Sequence, residues 1–176
     1  MKKLLIFLVD NDEMHNQMLK EHLEEHYECE VKTYFTPTQC FENLQQNPDI
    51  VILDYDLQRE DKNGMDTLDL LQHIKDKKED TEVLLLSKED KLQVSVDMMK
   101  YGAYDYIVKN EGAFIAAQNA VSNIAMMRHL DARARKSRML NYILITVIVL
   151  AVIFCLLIFF FYPEVGAEET SVFDEL

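Results

Sequence analysis

The sequence predicts an α/β fold, an open parallel sheet wrapped by helices, followed by one carboxy-terminal transmembrane helix. Short apolar runs alternate with helical patterns five times between residues 1 and 138. Five βα units in order imply a parallel sheet with right-handed crossovers. The 176 residues are 49% hydrophobic, enough for one domain with a buried core plus an appendage. The third observation is a long uncharged segment, residues 140–162.

Five strands are predicted, at Leu4–Val9, Glu30–Tyr34, Ile50–Leu53, Val83–Leu86 and Asp105–Val108. The first follows two lysines, as a signal peptide would, but its apolar run is only six residues long and ends in Asp10. We therefore expect no signal peptide. The third and fourth runs are almost continuously apolar, which is typical of strands buried on both faces of a parallel sheet.

Helices are predicted between the strands. The apolar positions that define a face are Met14, Met18, Leu19 and Leu23 in the first, Leu68, Leu71 and Ile74 in the third, and Phe114, Ala117, Val121 and Ile124 in the fifth. The second helix begins with Thr36 as its cap and Pro37 at its first position. The fourth is predicted from Leu92 to Tyr101, where Gly102 ends it.

The carboxy-terminal segment predicts a membrane anchor. As a helix, Leu140–Tyr162 would be about 35 Å long, more than the ~30 Å of a hydrocarbon core. A buried core helix is the alternative, but it would have to be apolar all round and unusually long. The predicted divisions are a folded domain at 1–127, a basic juxtamembrane extension of the fifth helix at 128–139, the transmembrane helix at 140–162 and a short acidic tail at 163–176.

Charge at the two ends of this segment predicts its orientation. Basic residues precede it and acidic residues follow it: Arg128, Arg133, Arg135, Lys136 and Arg138 before, and Glu164, Glu168, Glu169, Asp174 and Glu175 after. The positive-inside rule then puts the folded domain in the cytoplasm and the tail outside. We expect a single-pass protein of the inner, cytoplasmic membrane.

Overall composition excludes several functions. The chain has 18 basic and 31 acidic residues and a net charge of −13, which argues against binding nucleic acid. Its three cysteines, Cys29, Cys40 and Cys155, are far apart, so neither a disulfide framework nor a cysteine zinc site is expected. His22 and His26 have a zinc-compatible spacing, but surrounding glutamates favour a solvated face.

Polar residues gather where the predicted strands end. Asp10-Asn11-Asp12 follows the first strand, Asp54-Tyr55-Asp56 the third, Ser87 the fourth and Lys109 the fifth. In a parallel sheet these ends form one edge, where sites of such folds lie. Two like charges 4 Å apart repel by about 4 kcal/mol at an effective dielectric of 20. The carboxylates therefore need a cation among them, and Mg²⁺ with oxygen ligands fits.

This set of residues indicates phosphoryl chemistry. A carboxylate such as Asp54 can attack phosphorus and form an acyl phosphate. Mg²⁺ and the Lys109 ammonium would offset the charge of the transferring group, and Ser87 could donate a hydrogen bond to it. The sequence contains no glycine-rich phosphate-binding motif, so nucleotide binding has no support.

Four motifs together resemble the receiver domain of two-component response regulators, the CheY-like family. They are VDND, ILDYDL, LLLS and GAYDYIVK, and the resemblance spans residues 3 to about 125. It implies a flavodoxin-like sheet of strand order 2-1-3-4-5. It also implies Mg²⁺-dependent acceptance of a phosphoryl group from a sensor histidine kinase or phosphotransfer protein.

The resemblance also implies residue roles. Asp54 would be the phospho-acceptor, Lys109 the lysine of the family pattern, and Ser87 and Tyr106 the switch residues. Phosphorylation would alter the face of helix four, strand five and helix five. Metal binding would involve a group of residues near Asp54, with Asp56 contributing its backbone carbonyl; the group is Asp10, Asn11, Asp12, Asp54 and Asp56.

The sequence departs from the family pattern at four places. Asn11 replaces the second acid of the usual pair, unless Asp12 compensates. Lys88 replaces a small residue, and we expect its side chain to screen the site or pair with Asp56. The loop from Asp54 to Gly64 is about three residues longer than the commonest form, and Asn110 replaces a proline.

Three functions follow from these patterns. The first is a phospho-accepting receiver held at the membrane. It is not an enzyme beyond its own phosphorylation and dephosphorylation, and its output is protein contact, with homodimerisation as one route. The second, motivated by Asn11 and Lys88, is a receiver that is not phosphorylated and serves as an interaction module. The third is a phosphatase, because Asp54-Tyr55-Asp56 resembles a DxD nucleophile motif; such enzymes carry the motif on their first strand, which disfavours it here.

Overall fold

A computed structural model describes residues 3–57, 64–88 and 92–161 of the chain. Strands and helices alternate in the order β1 (Leu4–Val9), α1 (Glu13–His26), β2 (Cys29–Tyr34), α2 (Pro37–Asn43), a 3-10 turn (Leu44–Gln46), β3 (Ile50–Asp54), α3 (Thr67–Lys77), β4 (Glu82–Ser87), α4 (Leu92–Lys100), β5 (Asp105–Val108) and α5 (Ala113–Phe161). The predicted strands are confirmed to within one residue at each end.

The five strands form one parallel sheet of order β2-β1-β3-β4-β5, as predicted. Val9 pairs with Leu53, and Asp54 pairs with Leu86 in the next strand. Ser87 pairs in turn with Val108, the last residue of β5. The carboxyl ends of these four strands therefore reach one edge of the sheet at the same level.

Two apolar clusters cover the faces of the sheet. One contains Ile6, Leu8 and Ile52 and packs against Leu19 and Leu23 of α1 and Val121 and Ile124 of α5. The other contains Phe7, Val9, Val51 and Leu53 and packs against Cys40, Leu70, Leu71 and Ile74. β3 is buried along its whole length because both clusters contact it.

The α1 face differs from the predicted one. Leu19 and Leu23 are fully buried, but Met14 and Met18 are 72% and 52% exposed. Asn16 is the buried residue one turn before Leu19, because its side chain reaches the backbone of β1's end. Two further pairs of adjacent methionines lie in α4 and α5. Met98 is buried, whereas Met99, Met126 and Met127 are exposed.

Tyr104 and Tyr106 pack on opposite faces of the sheet. Residues two apart in a regular strand would lie on the same face. β5 begins at Asp105, so Tyr104 lies before the pleated region. Tyr104 packs against the cluster on the α1 and α5 side, and Tyr106 packs against the opposite cluster.

Caps and breaks lie where expected in the α2 and α4 regions. The Thr36 side chain accepts a hydrogen bond from the Gln39 N–H at 3.2 Å, with Pro37 in the first turn of α2. α4 ends at Lys100, and Gly102 takes a φ of 92°, a left-handed conformation that favours glycine.

The chain divides into two compact units, with the division between Met127 and Arg128. Helix α5 begins in the first unit and continues to Phe161 in the second. In the second unit, Asn141–Ile158 is long and apolar enough to cross a membrane by length and composition, and none of it is buried within the chain. The predicted acidic tail lies outside the described residues.

Candidate functional site

Two buried carboxylates share one ammonium group at the carboxyl edge of the sheet. Lys109 Nζ lies 2.7 Å from Asp10 Oδ2 and 2.8 Å from Asp54 Oδ2. The two aspartates are 1% and 3% exposed. The structure thus brings together the three residues that the sequence placed at the ends of three different strands.

The sheet order explains how Lys109 reaches this pair. β1 and β3 are neighbours, so Asp10 and Asp54 lie side by side. Lys109 follows β5, and its N–H donates to the Ser87 carbonyl at 2.7 Å, which extends the β4–β5 pairing by one residue. The long lysine side chain then spans the width of β4.

The first turn of α1 holds Asp10 in place. The N–H of Asp12 donates to Asp10 Oδ1 at 2.8 Å, and Asn16 Nδ2 donates to the Asp10 carbonyl at 2.6 Å. His15 Nδ1 lies 2.9 Å from Asp10 Oδ2, the same oxygen that Lys109 contacts. Asp10 is therefore contacted on both carboxylate oxygens.

Asp54 is held from β3's own end and from α3. The N–H of Asp56 donates to Asp54 Oδ1 at 3.0 Å, and Thr67 Oγ1 donates to the Asp54 carbonyl at 2.9 Å. Its remaining oxygen is the one that contacts Lys109. This fixes the carboxylate in one orientation at the floor of the site.

The surroundings shift the three pKa values in different directions. Burial raises the pKa of Asp10, but the His15 imidazole, the Lys109 ammonium and the Asp12 N–H outweigh it and lower that pKa to about 2. For Asp54, burial prevails over the contacts with Lys109 and Asp56, and its pKa is raised. The pKa of Lys109 is raised because its two carboxylate partners outweigh burial.

The donor atoms suit a hard divalent cation. The two carboxylates and one ammonium leave a net negative charge in a buried site, and carboxylate oxygens are ligands that hard divalent cations prefer. The described residues contain no group of three or more His, Cys, Asp and Glu side chains arranged to hold a metal ion. Any cation here would therefore depend on backbone, amide or water oxygen as well.

The other predicted metal ligands have different surroundings. Asn11 is exposed beside Asp10. The Asp12 side chain caps α1 by accepting from the His15 N–H at 3.0 Å. The Asp56 side chain accepts from the Lys88 N–H at 2.9 Å. The predicted metal roles of these residues stay predictions.

Lys88 pairs with Asp56 through its backbone rather than through its side chain, which is exposed. The predicted role of the Lys88 side chain, to screen the site or pair with Asp56, stays a prediction. Asn110 Oδ1 accepts from the Gly112 N–H at 2.8 Å and so closes the turn before α5. The charged part of the long loop, residues 58–63, lies outside the described residues.

The two predicted switch residues lie on neighbouring strands. Ser87 is fully buried at the end of β4. Tyr106, on β5, is partly buried, and its ring lies 6.3 Å from that of Tyr55, in an edge-to-face arrangement. Tyr55 directly follows Asp54, so the aromatic pair joins the β3 end to β5.

Sequence reasoning missed three residues that contact the two aspartates of the site: His15, Asn16 and Thr67. Each lies in the first turn of a helix that follows an acidic strand end. That position could have flagged them, because such a turn faces the edge of the sheet. His22 and His26, which the sequence discounted as zinc ligands, contact Gln118 Oε1 and the His22 carbonyl, respectively, at 2.8 Å.

The comparisons with known proteins agree with this architecture. Residues 6–117 match the family model of the response regulator receiver domain. The match covers more than half of the chain, and the chain belongs to this family. A search of curated proteins found no match.

Solved receiver domains have the same fold. The receiver domain of the Francisella response regulator 1452 is 19% identical, with a TM-score of 0.63, covering 72% of this chain and 99% of that one. A receiver domain protein from Clostridium thermocellum is 24% identical, with a TM-score of 0.62 and coverages of 72% and 98%. The BeF3-activated receiver domain of DrrB, from Thermotoga maritima, is 24% identical, with a TM-score of 0.60 and coverages of 71% and 99%.

Proposed function

We propose that this chain is a membrane-anchored receiver that accepts a phosphoryl group from a sensor histidine kinase or phosphotransfer protein onto Asp54. The observation that carries the proposal is the contact of one ammonium, Lys109 Nζ, with the carboxylates of both Asp54 and Asp10 at 2.8 and 2.7 Å. A buried ammonium between a nucleophilic carboxylate and a second acid is suited to a site where negative charge is transferred.

In the proposed reaction, an Asp54 carboxylate oxygen attacks the phosphorus of a phosphohistidine. The new bond joins that oxygen to phosphorus, and the bond from phosphorus to the imidazole nitrogen breaks. The imidazole leaves with the electron pair of that bond, and it leaves as the neutral ring because its other nitrogen keeps a proton or the leaving nitrogen gains one. Water later hydrolyses the acyl phosphate and restores the carboxylate.

The residues at the site divide the work of this transfer. The Asp56 N–H holds one carboxylate oxygen of Asp54, and the other faces Lys109. The Thr67 hydroxyl holds the main-chain carbonyl of the same residue. Lys109 balances charge on the incoming phosphoryl oxygens. Asp10, Asp54 and the Asp56 carbonyl, with Asn11, would hold Mg²⁺, which when bound supplies charge neutralisation of the phosphoryl group. Burial raises the pKa of Asp54, and a bound cation would lower it again by favouring the ionised carboxylate.

The proposed output is protein contact. Ser87, buried at the end of β4, would donate to a phosphoryl oxygen, and Tyr106 would follow it inward. The face of α4, β5 and α5 would then change, with homodimerisation as one route to a signal. The domain itself would not turn over a substrate, and its acidic charge disfavours nucleic acid as a partner.

The proposed location is the cytoplasmic membrane, crossed once by the Asn141–Ile158 region of α5, with the receiver on the cytoplasmic side. Confinement to the membrane raises the effective concentration of the receiver for a kinase in the same membrane, without any new contact. The natural donor is therefore a membrane-bound sensor kinase.

Labelling with a small phosphodonor tests the proposal. The full chain in detergent micelles, incubated with Mg²⁺ and radiolabelled acetyl phosphate, should acquire acid-stable, base-labile label. Asp54→Asn should abolish it, because an amide does not attack phosphorus. Asp76→Asn, which makes the same change at an exposed position of α3, should label like the wild type.

The same experiment separates the alternatives. An unlabelled wild type that still binds a partner would contradict phospho-acceptance and favour the interaction module. Steady release of phosphate from phosphoesters, lost in Asp54→Asn, would favour the phosphatase.

A further inference from the structure

The His15 side chain lies against Asp10 without forming a regular hydrogen bond. Its Nδ1 is 2.9 Å from Asp10 Oδ2, but this nitrogen is buried and has no aligned hydrogen-bond partner within the described part of the chain. The imidazole therefore does little to orient Asp10. That task belongs to the Asp12 N–H and Asn16 Nδ2, which contact the residue at 2.8 and 2.6 Å.

Aromatic packing keeps His15 in this position. Its ring meets Phe114, in the first turn of α5, edge to face at a centroid distance of 5.4 Å, and its side chain is only 19% exposed. His22, two turns further along α1, also lies near Phe114, at a centroid distance of 5.9 Å. The imidazole is thus wedged between α5 and the carboxylate.

The position of His15 affects Asp10 Oδ2, the oxygen that a cation would need. Asp10 Oδ2 already contacts the Lys109 ammonium at 2.7 Å, and His15 Nδ1 lies 2.9 Å from the same oxygen. The imidazole contact favours the ionised carboxylate, so a divalent ion has to compete with it for this oxygen. Asn11 adds to this deficit, because it offers an amide oxygen with no charge.

We propose that His15 is a negative determinant of divalent-cation binding: it competes with Mg²⁺ for the Asp10 carboxylate and holds the affinity of the site down. The proposal rests on the proposed function, because it assumes that Mg²⁺ binds beside Asp54. His15 would set how strongly the site binds Mg²⁺. Phe114 of α5 would support that role by holding the imidazole in place.

Calorimetric titration of the full chain in micelles with MgCl₂, at one fixed pH, tests this inference. His15→Leu removes the ring nitrogen beside Asp10 Oδ2 and keeps an apolar side chain against Phe114; it should tighten Mg²⁺ binding roughly fivefold, because Oδ2 loses one of its two polar side-chain neighbours. His15→Ser, with a small polar side chain, should also tighten it. His22→Leu, which alters the same helix and the same Phe114 contact without reaching Asp10, should leave the affinity unchanged.

Equal or weaker Mg²⁺ binding by folded His15→Leu and His15→Ser would overturn the inference, with circular dichroism reporting the fold. Acetyl phosphate labelling of the same samples distinguishes its failure from that of the proposed function. Labelled protein with unchanged Mg²⁺ affinity overturns the role of His15 alone. Tighter Mg²⁺ binding in unlabelled protein upholds that role and overturns phospho-acceptance, and protein that binds no Mg²⁺ in any variant overturns both.

Discussion

Lys109 is the residue on which the buried charges of the site depend. Its side chain is 11% exposed and contacts two carboxylates that are almost completely buried. Breaking a buried ion pair by removing one partner is costly because the remaining charge stays in a low-dielectric environment. Here one substitution would leave two such charges side by side.

We therefore predict that Lys109→Met lowers the free energy of unfolding by about 3 kcal/mol at neutral pH. Urea denaturation of the full chain in micelles, followed by the near-ultraviolet signal of the tyrosines, measures the change. Lys77→Met, at an exposed position of α3, is the matched control and should change stability by less than about 0.5 kcal/mol.

The loss of unfolding free energy in Lys109→Met should become smaller in acid. Without Lys109 the pKa values of Asp10 and Asp54 both rise above the ~3.9 of an unfolded aspartate, so the penalty exists above that pH and disappears below it as the folded carboxylates take up protons. In the wild type, the shifted pKa of Asp10 has the opposite effect on stability. Its pKa of about 2 stabilises the fold above pH ~3.9, and that stabilisation is lost as the pH falls toward 2. A loss that stays constant down to pH 4 would contradict this account.

Residue-level sequence reasoning found Asp10, Asp54, Ser87 and Lys109 because each ends or follows a strand. It missed His15 and Asn16 because their contacts depend on how α1 returns across the β1 end. The helical pattern of the sequence does not show that His15 and Asn16 lie close to Asp10, because only the turn at Asp12 brings them near it.

At the scale of elements, α1 shows why a periodic pattern can indicate the wrong face. Met14, Met18, Leu19 and Leu23 fit a helix stripe, yet the two methionines are exposed. The helix is rotated so that Asn16 faces the edge of the sheet, where the Asp10 carbonyl needs a donor. Without this donor the Asp10 carbonyl would lose a buried hydrogen bond, at a cost of about 1–3 kcal/mol.

The start of α3 is an element with a direct connection to the site. Asp66 and Asp69 form a capping box: the Asp66 side chain accepts from the Asp69 N–H at 2.8 Å, and the Asp69 side chain accepts from the Asp66 N–H at 3.3 Å. The next residue after the cap, Thr67, donates to the Asp54 carbonyl. The cap therefore supports the floor of the site.

We predict that Asp66→Ala lowers the free energy of unfolding by about 1 kcal/mol, because the Asp69 N–H in the first turn loses its acceptor. Asp66→Asn keeps an oxygen acceptor and should cost clearly less. Thermal denaturation of both variants checks this. Equal losses in the two variants would show that charge, not the cap, is responsible.

At the scale of the whole molecule, charge is divided unevenly along the chain. Residues 1–127 contain 13 basic and 25 acidic residues, whereas residues 128–139 contain five basic residues and one acidic residue. An acidic domain gains nothing from an anionic membrane surface, while a short basic segment beside an apolar helix does. This division suits a domain held at the membrane through its final helix alone.

Cysteine labelling tests the proposed topology. Cys29 and Cys40 are buried, and burial raises the pKa of both thiols, that of Cys40 to about 12, so their background reactivity should be low. Cys155 lies inside the apolar window and should resist a membrane-impermeant maleimide until detergent is added.

Two introduced cysteines then report the sides of the membrane. Ser171→Cys, in the acidic tail, should react in intact cells, and Ser122→Cys, exposed on α5, should react only after permeabilisation. Reaction of Ser122→Cys in intact cells would reverse the proposed orientation. Recovery of the chain in the soluble fraction after an alkaline carbonate wash would overturn the anchor itself.

The sequence by itself determined the five βα units, their parallel arrangement and the edge at which the polar residues collect, because strand length, apolar runs and helix caps are local properties. Only the tertiary structure decided that Lys109 bridges Asp10 and Asp54, that His15 lies against Asp10, and that Lys88 meets Asp56 through its backbone. Those contacts join residues from different strands and helices, and their distances depend on sheet register and helix rotation, which no local pattern specifies.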